Sequence, residues 1–311
     1  MINLLQYDKS KCITFINRTR TIFGGKNVYK PKISIITAVY NRADKIEQCI
    51  SSVVSQTYDN IEYIVIDGGS ADGTVDVIKK YADGIAYWCS EPDEGIYDAW
   101  NKALRHSTGD YVHFIGSDDC LYDKETIQMV VNELDDDVDV LSGCFYTVME
   151  QEGMEMYSTN ELMLDKDRFP GHGIPMQGLF IKRALFGADP FDTSYRIAAD
   201  FKFMAGQYYD SNIRFKYISN PIQYFENGGI SSMQVAECNA EYQRIYKDLG
   251  LNQFIGNKRE DNCIKTTLKE LLKTLGVLYP VRLFYHAHIK NDWHRHHCSN
   301  KICRWCGRGV Q

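Results

Sequence analysis

Carboxylates recur in the first half of the chain: Asp67 and Asp72 in VIDGGSADGT, Asp93 and Glu94 in EPDEGIYDAW, and Asp118 with Asp119 in FIGSDD. Each group follows a short apolar run that reads as a buried strand, so the acids are expected along one edge of one sheet. Carboxylates gathered there have the chemistry to hold a divalent cation and, through it, a diphosphate.

Taken singly, most of these residues admit two readings. Asp67 precedes Gly-Gly-Ser, where glycine lets a ligand approach the backbone closely, and its carboxylate could accept hydrogen bonds from a base or ribose. The alternative is a strand-to-helix turn in which Asp72 or Thr74 caps the next helix, and for Asp72 the cap is preferred. Asp93 reads as a ligand or as the cap of a helix starting near Gly95, and Lys102 as an exposed helical partner of Asp98. Asp118 and Asp119 repel each other unless a cation compensates them or one faces solvent, and hard oxygen ligands select Mg²⁺ or Mn²⁺ over zinc. Asp200, in IAADFKFM, reads by itself as a helix N-terminal acid favoured by the macrodipole.

The elements that must position these groups follow from periodicity. KISIITA is a β-rich run, and residues 44–55 follow with Ile46, Ile50, Val53 and Val54 at helical spacing. The unit recurs as strand 61–66 with helix 74–81, strand 85–89 with helix 96–107, and strand 111–115 with helix 124–134; a strand at 138–143 closes the series. Apolar strands alternating with amphipathic helices predict a mostly parallel sheet flanked by helices, with ligands outside the carboxyl ends of its strands.

Outside that series, residues 1–31 read as an N-terminal extension and 146–170 as an acidic, Met-rich segment without clear periodicity. Order returns with a strand in GLFIKR, a helix over 197–209, a strand over 213–218 and the glycine turn ENGGIS. Helices are expected at 236–249 and 265–275. Beyond Pro280 the chain is basic and aromatic: Arg282, Lys290, Arg295, Lys301, Arg304 and Arg308 oppose only Asp292, interleaved with Phe284, Tyr285, Trp293 and Trp305. That composition fits an interfacial membrane contact.

A net charge of −6 over 311 residues argues against non-specific nucleic-acid binding. The 10 cysteines lack the dense spacing of a disulfide scaffold, and no secretory segment opens the chain, so reduced thiols in a cytoplasm are expected. No apolar run approaches the roughly 18 residues of a spanning helix. Cys298, Cys303 and Cys306 with His294, His296 and His297 offer zinc ligands, but their spacing matches no strong zinc signature, and a basic membrane-surface tail is the preferred reading.

Together, TAVYNR (37–42), QTYDNIEYIVIDGGSADGT (56–74), SEPDEGIYDAWNKAL (90–104), GD (109–110), FIGSDD (114–119) and IAADFKFM (197–204) resemble the inverting family 2 glycosyltransferases of bacterial surface polysaccharide biosynthesis, over about residues 32–230. The resemblance implies a GT-A (Rossmann-like) nucleotide-diphospho-sugar transferase fold. It divides that domain into a nucleotide-sugar half, 32–145, and an acceptor and catalytic-base half, 146–230, followed by a helical C-terminal extension, 231–311, with the basic tail. It implies that Ala38, Tyr40, Asn41 and Asp67 contact the base and ribose, that Asp93 lies near the nucleotide sugar, that Lys102 approaches its phosphates and that Asp118 contacts ribose or sugar. Asp119 would ligate Mn²⁺ or Mg²⁺, and Asp200 would be the general base. Where the family often has His-Gln, this chain has Met176-Gln177, leaving His172 and Gln177 as acceptor-side candidates.

The implied reaction moves a sugar from a nucleotide-diphosphate donor, a UDP-sugar, to a saccharide acceptor on a lipid diphosphate, at the inner face of the cell membrane. The rival readings are a nucleotidyltransferase and a non-catalytic sugar-nucleotide-binding protein. A nucleotidyltransferase would usually carry a glycine-rich basic loop after the first strand, and TAVYNRAD has no glycine.

Overall fold

The computed structural model describes residues 21–23, 26–28, 30–149, 154–158, 175–226, 229, 234–252, 255 and 293–294. The chain divides into two compact units, Met1–Lys30 and Pro31–Gln311. In the first, β1 (Thr21–Phe23) and β2 (Lys26–Val28) pair antiparallel.

The second unit opens with the alternation expected from its hydrophobic pattern. β3 (Ile33–Val39), β4 (Ile61–Asp67), β5 (Tyr87–Ser90) and β6 (Tyr111–Phe114) form a parallel block in the order β6-β3-β4-β5. Three helices connect them: α1 (Ile46–Val54), α2 (Thr74–Lys80) and α3 (Ile96–His106). In α1 the buried residues Ile46, Cys49, Ile50 and Val53 follow the i, i+3, i+4, i+7 stripe of a helix packed on a sheet. The same rule buries Tyr97, Trp100, Ala103 and Leu104 of α3.

Gly109, in the short connection from α3 to β6, has a packing reason to be glycine. A Cβ there would stand 2.5 Å from Ser34 Oγ and 2.8 Å from the Lys32 carbonyl oxygen. Asp110 then accepts the Lys32 backbone N–H at 2.8 Å, so the GD pair pins the start of β6 to the start of β3.

Past β6 the sheet becomes mixed. β7 (Cys120–Leu121) and α4 (Thr126–Glu133) lead to β8 (Val140–Met149) and β9 (Met154–Ser158). β10 (Leu179–Lys182) inserts between β6 and β8, antiparallel to both, so the strand expected to close the parallel series is separated from it by a later one. After α5 (Ala199–Tyr209), β11 (Phe215–Glu226) runs parallel to β8 and antiparallel to β7. α6 (Val235–Asp248) follows, and β12 (Trp293–His294) pairs with β9. The helix expected at 265–275, the cysteines and histidines at 296–306 and most of the basic tail lie outside the described residues.

Candidate active site

The parallel block brings the sequence motifs to one edge. Register pairs Val39 with Asp67 and Asp67 with Ser90, so the loops after β3, β4 and β5 leave the sheet at the same level. The loop after β6, carrying Gly116 to Asp119, joins them, because Ile115 N–H bonds to the Ile36 carbonyl at 3.0 Å.

Asp67 is fully buried, and its carboxylate serves its own loop. It accepts the N–H groups of Gly69 and Ser70 at 3.1 and 2.9 Å and the hydroxyls of Ser70 and Ser90. These bonds shape the turn after β4, at the place where the sequence reading put a donor contact. Ser70 in turn accepts the Asn41 N–H at 2.7 Å, and Asn41 Oδ1 accepts the Ala71 N–H at 3.0 Å. Asn41 adopts a left-handed φ of 49°, which asparagine tolerates better than most residues. Beside it Tyr40 is 63% exposed and Ala38 half-buried. Asp72, expected to cap α2, lies one residue before its N-cap, Gly73, and shapes the turn into the helix instead: it accepts the N–H and hydroxyl of Thr74 at 3.0 and 2.6 Å and also holds the Ala43 N–H.

Asp93 lies against the same loop, with Oδ2 only 2.7 Å from where a Cβ on Gly68 would stand. Burial raises its pKa, against the Gly95 N–H that it accepts at 2.9 Å. Lys102, expected near phosphates, pairs with Glu91 at 3.1 Å and Asp98 at 3.2 Å, so it anchors the Asp93 loop onto α3.

Asp119 is 3% exposed and fixed by the mixed half of the sheet. Its Oδ1 accepts the Glu226 N–H at 2.9 Å, and its Oδ2 accepts the Gly116 N–H at 3.3 Å and Gln223 Nε2 at 3.1 Å. Gln223, fully buried, uses its other amide atom to accept the Gly178 N–H at 3.1 Å. One amide therefore ties the Asp-Asp element to the turn after Met176-Gln177. Met176 is buried, Gln177 is half-buried, and His172 lies outside the described residues. Gln223 and Glu226 escaped the sequence reading because they lie over 100 positions from Asp119; the only trace was a lone polar residue inside PIQYF.

Among the described residues no group of three or more His, Cys, Asp or Glu converges to hold an ion unaided. The donors at the edge, Asp118 and Asp119, are hard oxygens, and Mg²⁺-type ions are commonly held by one or two carboxylates plus substrate phosphates. The residues fit a cation that shares its coordination with a diphosphate.

Asp200 stands in the first turn of α5, and α3 reaches it. Tyr97 Oη is 2.9 Å from Asp200 Oδ1 and 2.6 Å from the Ile197 carbonyl oxygen, and the Phe201 N–H donates to Oδ1 at 2.8 Å. Burial raises the Asp200 carboxyl to about 6, outweighing the hydrogen bonds from Tyr97 and Phe201. At pH 7 such a group is ionised about ten to one, yet is a stronger base than an ordinary aspartate.

A parallel edge of loops bearing acids, with a distant basic aspartate joined to it through Tyr97, defines a transferase of the GT-A fold. The profile of glycosyl transferase family 2 matches residues 34–204, and the chain belongs to that family. Its activity is glycosyl transfer. Among similar proteins, a Mycobacterium bovis PGL/p-HBAD biosynthesis glycosyltransferase is 28% identical over 207 residues, 65% of this chain and 80% of the relative. An uncharacterized glycosyltransferase of Rickettsia typhi is 29% identical over 271 residues, 82% of this chain and 81% of the relative. The structure of Staphylococcus aureus TarS residues 1–349 in complex with UDP-GlcNAc superposes with a TM-score of 0.54 at 18% identity, covering 84% of this chain and 74% of that one. This chain spans 44% of the longer TarS chain. Those likenesses show the fold. Among the described residues no helix is long and apolar enough to cross a membrane.

Proposed function

We propose that the protein is a divalent-metal-dependent inverting glycosyltransferase that moves a sugar from a UDP-sugar to a saccharide acceptor carried on a lipid diphosphate, in surface polysaccharide biosynthesis. The reading assigns residues 32–145 to the donor, 146–230 to the acceptor and base, and the basic tail of 231–311 to the inner membrane face.

The observation that carries the reading is the bond between Tyr97 and Asp200. It ties the helix that follows the Asp93 loop to a carboxyl whose pKa of about 6 suits proton removal near neutral pH. The donor's base and ribose lie on the loops after β3 and β4, which Asp67, Ser70 and Asn41 hold in shape. Asp93 and Asp118 face the sugar and ribose. Asp119 would hold Mn²⁺ or Mg²⁺; a bound cation there would supply Lewis-acid stabilisation of the leaving oxygens. Asp200 takes the proton from the acceptor hydroxyl as that oxygen attacks the anomeric carbon from the side opposite the diphosphate, which inverts the configuration.

Support for a UDP donor comes from TarS, solved with UDP-GlcNAc, and support for a metal from a neighbour in fold, the Pyrobaculum calidifontis mannosyltransferase solved with GDP-Man and Mn²⁺, at a TM-score of 0.50. A thermal-shift screen of UDP- and GDP-sugars with and without Mn²⁺ tests the donor assignment, since a ligand bound to the folded state raises its apparent stability. A UDP-sugar that stabilises only with metal is expected; stabilisation by none of them overturns the donor class.

A further inference from the structure

Immediately before α5, three consecutive backbone N–H groups converge on one side chain. Glu241 of α6 accepts Arg196 N–H on Oε1 at 2.7 Å and takes Ile197 and Ala198 N–H on Oε2 at 2.9 and 2.8 Å. These donors precede the helix and have no intrahelical partner, and Ile197 and Ala198 are buried away from water. An amide side chain has only one acceptor atom to offer them, whereas a carboxylate has two.

The contact belongs to a stripe. Glu241, Arg244 and Asp248 are spaced so that they share one face of α6. Arg244 donates to the Ser194 carbonyl at 3.1 Å and to its hydroxyl, and its guanidinium lies 3.8 Å over the Tyr195 ring. Asp248 accepts the Tyr195 hydroxyl and pairs with Lys202 at 3.4 Å. Between them Ile245 is fully buried, and Tyr242 packs on Phe201 with ring centroids 4.6 Å apart. The whole of α6 lies beyond the 34–204 stretch matched by the family profile.

We propose that Glu241 is a positioning residue for Asp200: by holding the three N–H groups of 196–198 it sets the turn that aims the Asp200 carboxyl at Tyr97 and the acceptor hydroxyl. The proposal rests on the reading of Asp200 as general base. Glu241 has a second effect, because the titratable groups facing Asp200 are Tyr97 from α3 and Glu241 from α6. The hydrogen bond from Tyr97 lowers the Asp200 pKa, and the negative charge of Glu241 raises it. A merely structural cap would hold the turn without a charge that favours proton uptake by Asp200.

The test compares the full-length chain with Glu241→Gln, Glu241→Asp and Asp200→Asn. Four readouts are taken: calorimetric binding of UDP with Mn²⁺, hydrogen exchange at 196–198, the carbon-13 titration of the Asp200 carboxyl, and release of nucleoside diphosphate from a panel of UDP- and GDP-sugars. Glu241→Gln is expected to bind UDP like the parent and to exchange 196–198 about tenfold or more faster, as loss of bonds to a charged acceptor requires. It should also titrate Asp200 at lower pH and slow the release, with partial recovery in Glu241→Asp. Unchanged exchange and an unchanged Asp200 titration in Glu241→Gln overturn the proposal. If Glu241→Gln behaves as expected while Asp200→Asn releases nucleoside diphosphate at the parent rate, Glu241 holds the turn, but the base assignment falls, and with it the catalytic meaning of the hold.

Discussion

Tyr97 Oη lies 2.9 Å from Asp200 Oδ1 and 2.6 Å from the Ile197 carbonyl oxygen, and a phenol has a single proton to share between them. When Asp200 is ionised, that proton belongs with the carboxylate; when Asp200 is protonated, the acid donates to Tyr97, which donates to Ile197. The hydroxyl therefore follows the charge state of the aspartate. Tyr97→Phe removes a bond that favours the ionised form, so the acid limb of kcat/KM should move to higher pH than the limb near 6 expected of the parent. A hydrogen bond to a charged group is worth about one pKa unit, so at pH 7 the ionised fraction, and kcat/KM with it, should fall about twofold. A pH-rate profile that does not move would disprove this coupling.

Asp200→Asn should lower transfer by about 10²- to 10⁴-fold, the usual contribution of a general base, with donor binding by calorimetry unchanged. Asp119→Asn should have the opposite split, with weakened metal-dependent donor binding as well as lost turnover. Chelation with EDTA should stop the parent enzyme and added Mn²⁺ should restore it.

Gln223→Leu leaves Asp119 and the Gly178 N–H without the amide that joins them. Loss of a partner from buried polar groups costs about 1–3 kcal/mol, so the melting temperature should fall measurably. A variant as stable and as active as the parent would show that this bridge is incidental.

His113 is fully buried in β6, with Nδ1 2.8 Å from the Leu179 carbonyl oxygen and its ring stacked 4.4 Å from that of Phe180. Burial lowers its pKa to about 4 from 6.5. Between those values the unfolded chain binds the extra proton, so stability is full above pH 6.5 and is lost as pH falls toward 4, by roughly 3 kcal/mol in all. Asp200, raised from 3.8, acts with the opposite sign: it favours folding at low pH, and that contribution is lost as pH rises through about 6. Subtracting the chemical-denaturation curve of His113→Gln from that of the parent isolates the histidine, and a difference that is flat from pH 7 to 4 would refute the assignment.

Gly109→Ala should destabilise the fold without altering donor affinity in the folded fraction, because the new methyl would meet the backbone of β3 at the end of the sheet where the strands begin. Urea unfolding separates this effect from one on the site.

How much of this was legible in the sequence depended on the distance over which each residue acts. Hydrophobic period alone fixed β3 to β6 and α1 to α3, since strand and helix patterns are local, and parallel pairing then forced the loops bearing Asp67, Asp93 and Asp119 to one edge. The local turn at Asp72 was readable for the same reason, since its partner, Thr74, is two residues away, although the N-cap itself is Gly73. Tertiary structure decided what local pattern cannot encode. β10 inserts antiparallel between β6 and β8, Gln223 reaches Asp119 and Gly178, Tyr97 meets Asp200 from across the domain, and Glu241 closes on 196–198. Each joins segments tens of residues apart or more, and their pairing is set by how the layers pack rather than by any period in the chain. The sequence supplied the acids; packing decided that Asp67 holds a loop, that β11 fixes Asp119, and that burial raises the Asp200 carboxyl to about 6.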